Sequence, residues 1–512
     1  GSCCIRYALH PRALPGTMVQ AAKEAQPATT SQDAVKSVSR DVWPLWKLTL
    51  MALPQLGVQV LWAFIGPNSA PYMRHLGMGH ALATLNNVAG PITGFFTGPL
   101  VGAASDNLTS RFGRRRPVIL AGLLSTIVAG VLFASSEHIM PRGAAMYFAA
   151  PMYWIMDMTI NILQTPHRAL VADLASEEQQ VPMQVVFVFM MAIGNFVAFS
   201  IMGIYDVPVD HMLELMLGIC LLNSLCVGVQ FLVARERPLM RDPNRPRQSA
   251  CSPVMNVVAA VKGSPRLLYH LAAVQCLVWI GNTAWNLYSG QWFSNAVYQG
   301  DETAQEGSAA YVAYAEGQAA FSRGGQAKSV LQLISTLAII ALLLKTTIRP
   351  RLVYAPCIYV GAVVSVLAAA AVGHSGAFAM ICMAFSIMPE TGSFAIPFGL
   401  VATLNKRAEE EGKQVSTALQ MALLNCCVTV GQQICTVTLA GIEGKLSLEA
   451  ALPCVFIVAA TAQILGGSGA LCLDDRPPMR EDQNENEESA KDEDSEVGPA
   501  EASEQRAEPV VV

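Results

Sequence analysis

The sequence predicts an all-α membrane protein with twelve transmembrane helices in two pseudo-symmetric six-helix bundles. Three observations lead there. The 512 residues are 53% hydrophobic and only 14% charged, with a mean hydropathy of +0.39, where soluble domains carry about 25% charge. Twelve apolar stretches can be placed along the chain, each near the roughly 20 residues that a helix needs to cross a hydrocarbon core about 30 Å thick. They fall into six, a basic linker, and six more. This composition excludes a soluble enzyme and a disulfide scaffold, and a net charge of −5 gives no electrostatic attraction to nucleic acid.

Taken in order, residues 1–42 are polar and Ala/Gln/Ser-rich, and read as a disordered cytoplasmic leader without the features of a cleaved signal. The first bundle, 43–234, holds spans at 45–70, 82–104, 117–135, 144–170, 182–204 and 211–234. Residues 235–265, with Arg235, Arg237, Arg241, Arg245, Arg247 and Lys262, form a basic cytoplasmic linker. The second bundle, 266–473, holds spans at 266–294, 326–344, 351–371, 376–400, 415–440 and 449–472. The tail, 474–512, is acidic and too poor in apolar residues to fold.

Basic residues orient the chain. With both termini cytoplasmic, inner loops hold eighteen Lys and Arg, against five in outer loops: Arg74, Arg142, Arg323, Lys328 and Lys445. This bias is the positive-inside pattern, and it leaves the sequon Asn107-Leu108-Thr109 on the inner side, without a glycan. The expectation is a multi-pass protein of the plasma membrane, with the vacuolar or another endomembrane as the alternative, monomeric in the lipid bilayer. The thirteen cysteines lie mostly in apolar runs with no CxxC pair and no histidines at ligand spacing, so no metal and no cofactor are expected. Neither HExxH nor GxSxG occurs in the spans, so no catalytic residue is assigned.

The loop after span 2 reads G-A-A-S-D-N-L-T-S-R-F-G-R-R-R-P, from Gly102 to Pro117. A carboxylate at a membrane border needs a partner, and Arg111, Arg114 and Arg115 are placed to pair with Asp106. Gly102 allows close helix approach, and Gly113 interrupts the arginines. Such a cluster can latch two bundles in one state and release them in another, which makes it a gate; the alternative is a positive-inside anchor.

Span 4 contains Asp157, Asn161, Gln164 and Arg168. At 100° per residue these fall within about 40° of one another on one face. A polar stripe in a bilayer-buried helix faces protein or water, so it is expected to line a cavity. Asp157 sits near mid-span and is a natural proton carrier, because one proton switches its charge off. A permanently paired structural carboxylate is the alternative. Glu390 is the other mid-span acid, set among prolines and glycines that imply a broken helix. It could carry a proton, bind substrate, or pair with a base from another span. Further intramembrane polar groups are Gln59 with Trp62, Asn195, Asn282, Asn286, Trp292, Asn425 and Gln432. Amides and acids suit sugar hydroxyls and an aromatic face suits the ring's C–H side, while each residue alone also serves as interhelical glue.

The run from Gly90 to Ile119 and the run L-Q-T-P-H-R-A-L-V-A-D-L from Leu163 resemble two signatures of the plant sucrose/proton symporters and their animal proton-associated sugar transporter relatives. These form the glycoside/proton symporter family of the major facilitator superfamily. Shorter echoes occur at Gly57, Met191, Ala395 and Leu423. The resemblance implies the two-bundle transporter fold and import of sucrose or a related disaccharide with a proton. It also implies that Asp157 and Arg168 serve coupling and substrate binding. At the end of span 7, where the family carries a charge network, this chain has Ser289, Gln291, Asn295 and Ala296, and Glu390 stands where the family has an apolar residue. That departure points to a different sugar or a rewired network.

The expected function is therefore proton-coupled symport of a sucrose-like sugar by alternating access, with Asp157 and Glu390 as proton-coupling residues. Gln59, Trp62, Asn161, Gln164, Arg168, Trp292 and Asn425 are the candidate sugar contacts. Gly102, Asp106, Arg111, Gly113, Arg114 and Arg115 are the candidate gate. The alternatives are a facilitator or symporter of another sugar, polyol or glycoside with weakened coupling, and a non-transporting sugar sensor.

Overall fold

The computed structural model describes residues 42–106, 108–141, 143–175, 179–205, 207–236, 266–346, 348–370, 375–410 and 417–473. The first bundle contains α1 (Leu45–Met51), α2 (Pro54–His75), α3 (His80–Asn86), α4 (Ala89–Asp106), α5 (Arg116–Ala134), the short α6 (Ser136–Ile139), α7 (Ala145–Leu174), α8 (Gln180–Met202) and α9 (Met212–Val233). The second contains α10 (Arg266–Gln291), which runs on as a π-helical turn Trp292–Val297, then α11 (Ala309–Lys345), α12 (Pro350–Ala370), α13 (Gly376–Phe385), α14 (Met388–Glu410), α15 (Thr417–Glu443) and α16 (Leu448–Leu471). No strand occurs among the described residues.

Eight of these helical stretches are long and apolar enough to cross a bilayer, and α1 with α2, bent by 41°, make a ninth. Gly, Pro and Thr interrupt α4, and amides interrupt α7 and α15, so these helices are less apolar. The outward faces are lipid-compatible: Leu120, Leu124 and Val128, four residues apart on α5, are all exposed, as expected where lipid replaces water.

Local sequence accounts for the helix ends. Pro54 and Pro350 open their helices, where a missing N–H costs nothing. Ser308 and Ser375 cap α11 and α13 by accepting from the Tyr311 and Phe378 amides, each at 3.3 Å. Within the first bundle α5 packs on α7 and α2 on α8; within the second α10 and α12 pack on α16. A Cβ at Gly122 of α5 would lie 2.6 Å from the Leu163 nitrogen, so α5 and α7 can meet this closely only through a glycine.

The bundles meet through α8 against α11, α3 and α4 against α15, and α2 against α10. The hydrogen bonds described between them lie at mid-depth and at the end holding residues 75–80. Arg74 donates to both Glu302 oxygens at 3.0 and 3.2 Å, Thr84 to Glu443 at 2.5 Å, and Tyr311 to Asp210 at 3.0 Å. Toward the opposite end Arg168 and Asn425 are exposed. Among the described residues, the hydrogen bonds between the bundles thus lie at one end and at mid-depth, and none joins them at the other end.

Candidate functional site

The α7 stripe is real, but α4 covers half of it. Asp157 is 1% exposed and Asn161 6%, because α4 presents glycines at four-residue spacing. A Cβ at Gly90 would sit 3.2 Å from Asp157 Oδ1, and one at Gly94 3.7 Å from Asn161 Oδ1. The expectation that the whole stripe lines a cavity is corrected: in this state only Gln164 and Arg168 keep open surface, since a helix face without side chains lets the backbones close over the acid. Thr93 donates its hydroxyl to Asp157 Oδ2, while Oδ1 has no partner. Asn161 donates to the Asp157 carbonyl at 3.0 Å, and Gln164 donates to Asn161 Oδ1 at 2.7 Å. Arg168 donates to Gln55 at 3.0 Å, with no carboxylate within 4 Å among the described residues.

The second bundle holds a different constellation. Glu390, 8% exposed, lies in the first turn of α14, just past the break after Phe385. It interacts electrostatically with Lys328 of α11, whose ammonium donates to Asn286 Oδ1 at 3.1 Å. Lys328 does not lie in an outer loop, where the count of basic residues places it. Instead α11 begins at Ala309, seventeen residues before the expected span, and buries Lys328 in its middle at 9% exposure, with Arg323 also inside the helix. The Ala/Gly/Gln-rich start of α11 lacks the apolar density that marks a span, so the sequence puts Lys328 at the edge of the span 326–344, among the outer-loop charges, and not in mid-helix. Its signal is its place inside an uninterrupted helix-compatible run.

A chain of amides crosses between the bundles: Gln59 of α2 donates to Asn195 of α8 at 2.9 Å, and Asn195 donates to Gln332 of α11 at 2.9 Å. Trp62, partly buried, lies one turn from Gln59. Asn425 shares a face of α15 with Thr429, Gln432, Thr436 and Glu443, and this face meets α3 and α4; Asn425 therefore looks toward the first bundle. Trp292 does not serve as a sugar platform in this conformation. It is 1% exposed, packs on Trp285, Phe293 and Phe456, and donates its N–H to Ala368 at 3.1 Å, so no ring face is free.

The arginine cluster ties the first bundle together. Arg114 and Arg115 reach Asp173 at the end of α7, at 2.7 and 3.1 Å, and the Arg115 amide donates to both Glu236 oxygens at 3.0 and 2.9 Å. Arg115 also donates to Ser105 at 2.5 Å. Gly113 has φ +97°, and a Cβ there would collide with the Glu236 carboxylate, so glycine is required twice over. Arg111 is exposed over the Phe112 ring and stands apart from these acids. Asp106 ends α4, but its side chain lies outside the described residues' side chains. At Gly102 no described atom lies within 4 Å of a Cβ, so the close approach expected there is absent in this state. Sequence reasoning misses Asp173 and Glu236 because contacts across 58 and 121 residues leave no local spacing signal.

At the end holding residues 75–80, Arg74 is held by Glu302 and, in the amide orientation that satisfies both groups, by the Gln291 carbonyl at 2.9 Å. Thr84 adds a 3.2 Å contact to the Tyr288 hydroxyl. From the sequence Arg74 counts only as a loop charge.

Over residues 50–462 the chain matches the family described as MFS/sugar transport protein. It is 37% identical over 169 residues to the sucrose transport protein SUT4 of Oryza sativa subsp. indica, covering 30% of this chain and 28% of that protein. Against SUT1 of Oryza sativa subsp. japonica identity is 28% over 295 residues, covering 50% and 54%, and against SUT5 of Oryza sativa subsp. indica 26% over 441 residues, covering 76% and 81%. In the first of these matches the chain spans less than a third of the relative's length. Among solved structures it is similar to a D-xylose-proton symporter, with TM-score 0.59, 12% identity and coverage of 84% and 97%, and to the nucleoside transporter NupG, with TM-score 0.57, 12% identity and coverage of 84% and 100%. At such identity the likeness is one of fold. With the helical bundles, the lipid-compatible faces and a family match over most of its length, the chain is an integral membrane protein and belongs to the MFS/sugar transport protein family.

Proposed function

We propose that this protein carries a sucrose-like sugar across the plasma membrane together with a proton, as a monomer with both termini cytoplasmic. The observation that carries the reading is Asp157: a carboxyl group 1% exposed, held by one hydroxyl, with one oxygen unpartnered and no cation within 4 Å among the described residues. Taking or losing one proton changes its charge, and so the cost of enclosing it. Neutral Asp157 permits the bundles to rock with the site occluded; loss of the proton toward the cytoplasm resets the carrier.

Arg168, Gln164, Gln59, Trp62, Asn161 and Asn425 line or border the path the sugar takes. The arginine cluster at one end and the Arg74 clasp at the other act as the two gates. The sucrose transport proteins of rice support the sugar class, and the unpartnered Asp157 oxygen supports coupling. The uncharged Ser289, Gln291, Asn295 and Ala296 favour a second reading, in which another sugar or polyol is carried with weaker coupling. Uptake of radiolabelled sucrose, maltose and glucose by transport-deficient cells at two external pH values tests both. Faster sucrose uptake at the acidic pH supports symport; pH-independent uptake of any of them leaves facilitation, and no uptake refutes both.

A further inference from the structure

Asn286, Lys328 and Glu390 come from α10, α11 and α14 and meet inside the second bundle, and three features set them apart from a structural ion pair. Lys328 and Glu390 act on each other electrostatically but close no contact within 4 Å: Asn286 sits between them, its Oδ1 accepting from the ammonium at 3.1 Å and its side chain also engaging the Glu390 carboxylate. Burying two charges is repaid only by close geometry, so a gapped pair is poor glue. Asn282 lies one turn away on the same face of α10; it is 2% exposed, and both of its amide atoms lack a partner, a state native interiors seldom tolerate. Asn286 keeps partial exposure, and its carbonyl is 4.0 Å from a Cβ at Gly66 of α2. The cluster therefore adjoins the contact of α10 with α2, and Lys328 lies one helical turn from the Gln332 link to Asn195.

We propose that Asn282, Asn286, Lys328 and Glu390 form a subsite for a vicinal diol of the substrate. One hydroxyl donates to the Glu390 carboxylate, its neighbour accepts from the Lys328 ammonium, and the two amides satisfy the remaining donors and acceptors. A pair held apart by an amide matches a diol, which offers a donor and an acceptor side by side, and the unpartnered Asn282 gains the hydrogen bonds it lacks. The subsite rests on the sugar-transport reading but has a role of its own. It recognises ring hydroxyls in the second bundle, while Asp157 in the first carries the proton.

The test is counterflow in proteoliposomes, using whichever of sucrose, maltose and glucose the wild type carries, with the monodeoxy derivatives of that sugar as competitors. The wild type is expected to prefer the parent sugar over at least one pair of adjacent monodeoxy derivatives by about tenfold or more, the worth of a hydrogen bond to a charged group. The charge-balanced Lys328→Met/Glu390→Gln double variant is expected to lose that discrimination and raise KM by a similar factor, with kcat little changed. Asn282→Leu is expected to raise KM without lowering thermal stability, because it removes an unsatisfied amide; this keeps the test decisive if the double variant folds poorly. Wild-type discrimination retained in both variants overturns the subsite alone. A wild-type protein that moves none of the three sugars overturns the transport reading, and the subsite with it.

Discussion

The two bundles share a fold but bury their acids in opposite ways. In the first, Asp157 is enclosed by the glycine face of α4 and held by the neutral Thr93 hydroxyl. In the second, Glu390 lies beside a buried cation, Lys328, with Asn286 bound to the ammonium. The first arrangement changes net charge with one proton; the second holds a carboxylate and an ammonium that balance each other. A site that must gain and lose charge during a cycle belongs to the first kind, and one that must stay polar while recognising hydroxyls belongs to the second.

The largest effect that sharpens this contrast is on stability. Removing one member of the second-bundle pair, by Lys328→Met or Glu390→Gln alone, strands a buried charge and is expected to cost about 3 kcal/mol. Removing both recovers most of that loss, and Asp157→Asn, which strands nothing, costs far less. Thermal unfolding of the four purified variants in one detergent checks the order, and equal losses for Asp157→Asn and the single second-bundle variants would erase the distinction.

Next comes the helix contact that builds the first bundle. Gly122→Ala places a methyl 2.6 Å from the Leu163 nitrogen and is expected to destabilise by about 1–3 kcal/mol. Gly94→Ala meets only ordinary contacts, 3.7 Å from Asn161, and is expected to be nearly neutral. A melting curve for each separates them.

Smaller still is the clasp between the bundles. Arg74 has 5% side-chain exposure in its pair with Glu302, and Arg74→Ala is expected to shift the population toward opening at that end by about tenfold. Modification of a cysteine introduced near the clasp reads this, and restoration by the exchange Arg74→Glu with Glu302→Arg would tie the effect to the pair.

The smallest effect involves the neighbouring loop. Asp301 accepts from the Thr303 amide and hydroxyl, each at 2.8 Å, and these bonds hold its carboxyl below the usual carboxylate range. A depressed carboxyl stabilises above its unfolded value and loses that contribution as pH falls through the folded one. Asp301→Asn should therefore loosen the loop slightly at neutral pH and remove its acid sensitivity, as hydrogen exchange of residues 301–303 would report.

Much of this is legible in the sequence because bilayers penalise unexplained polarity. Asp157 to Arg168 stand out at helical spacing, and the structure places them on one face of α7. Register along one helix is local information; cover by another helix is not. Hence the Gly90 and Gly94 face that covers Asp157 and Asn161 goes unread, although its four-residue spacing is present. Lys328 is read as lying at a span's outer edge because α11 starts in a segment of modest apolarity; the seventeen residues that precede the span 326–344 are what carry it to mid-helix. Trp292 draws notice by its residue type; Trp285 lies two turns before it on the same helix, but Phe456 of α16 and the Ala368 carbonyl of α12 come from elements that only the fold brings together. Asp173 and Glu236 complete a cluster whose arginines alone are conspicuous.

The most direct measurement of the central claim is sugar-driven proton movement in proteoliposomes carrying a pH-sensitive dye, for the wild type and Asp157→Asn, with sugar counterflow measured on the same vesicles. The predicted result is proton uptake with sugar in the wild type, and in Asp157→Asn counterflow without proton movement. Proton movement that follows sugar undiminished in Asp157→Asn would contradict the assignment of Asp157 as the proton carrier.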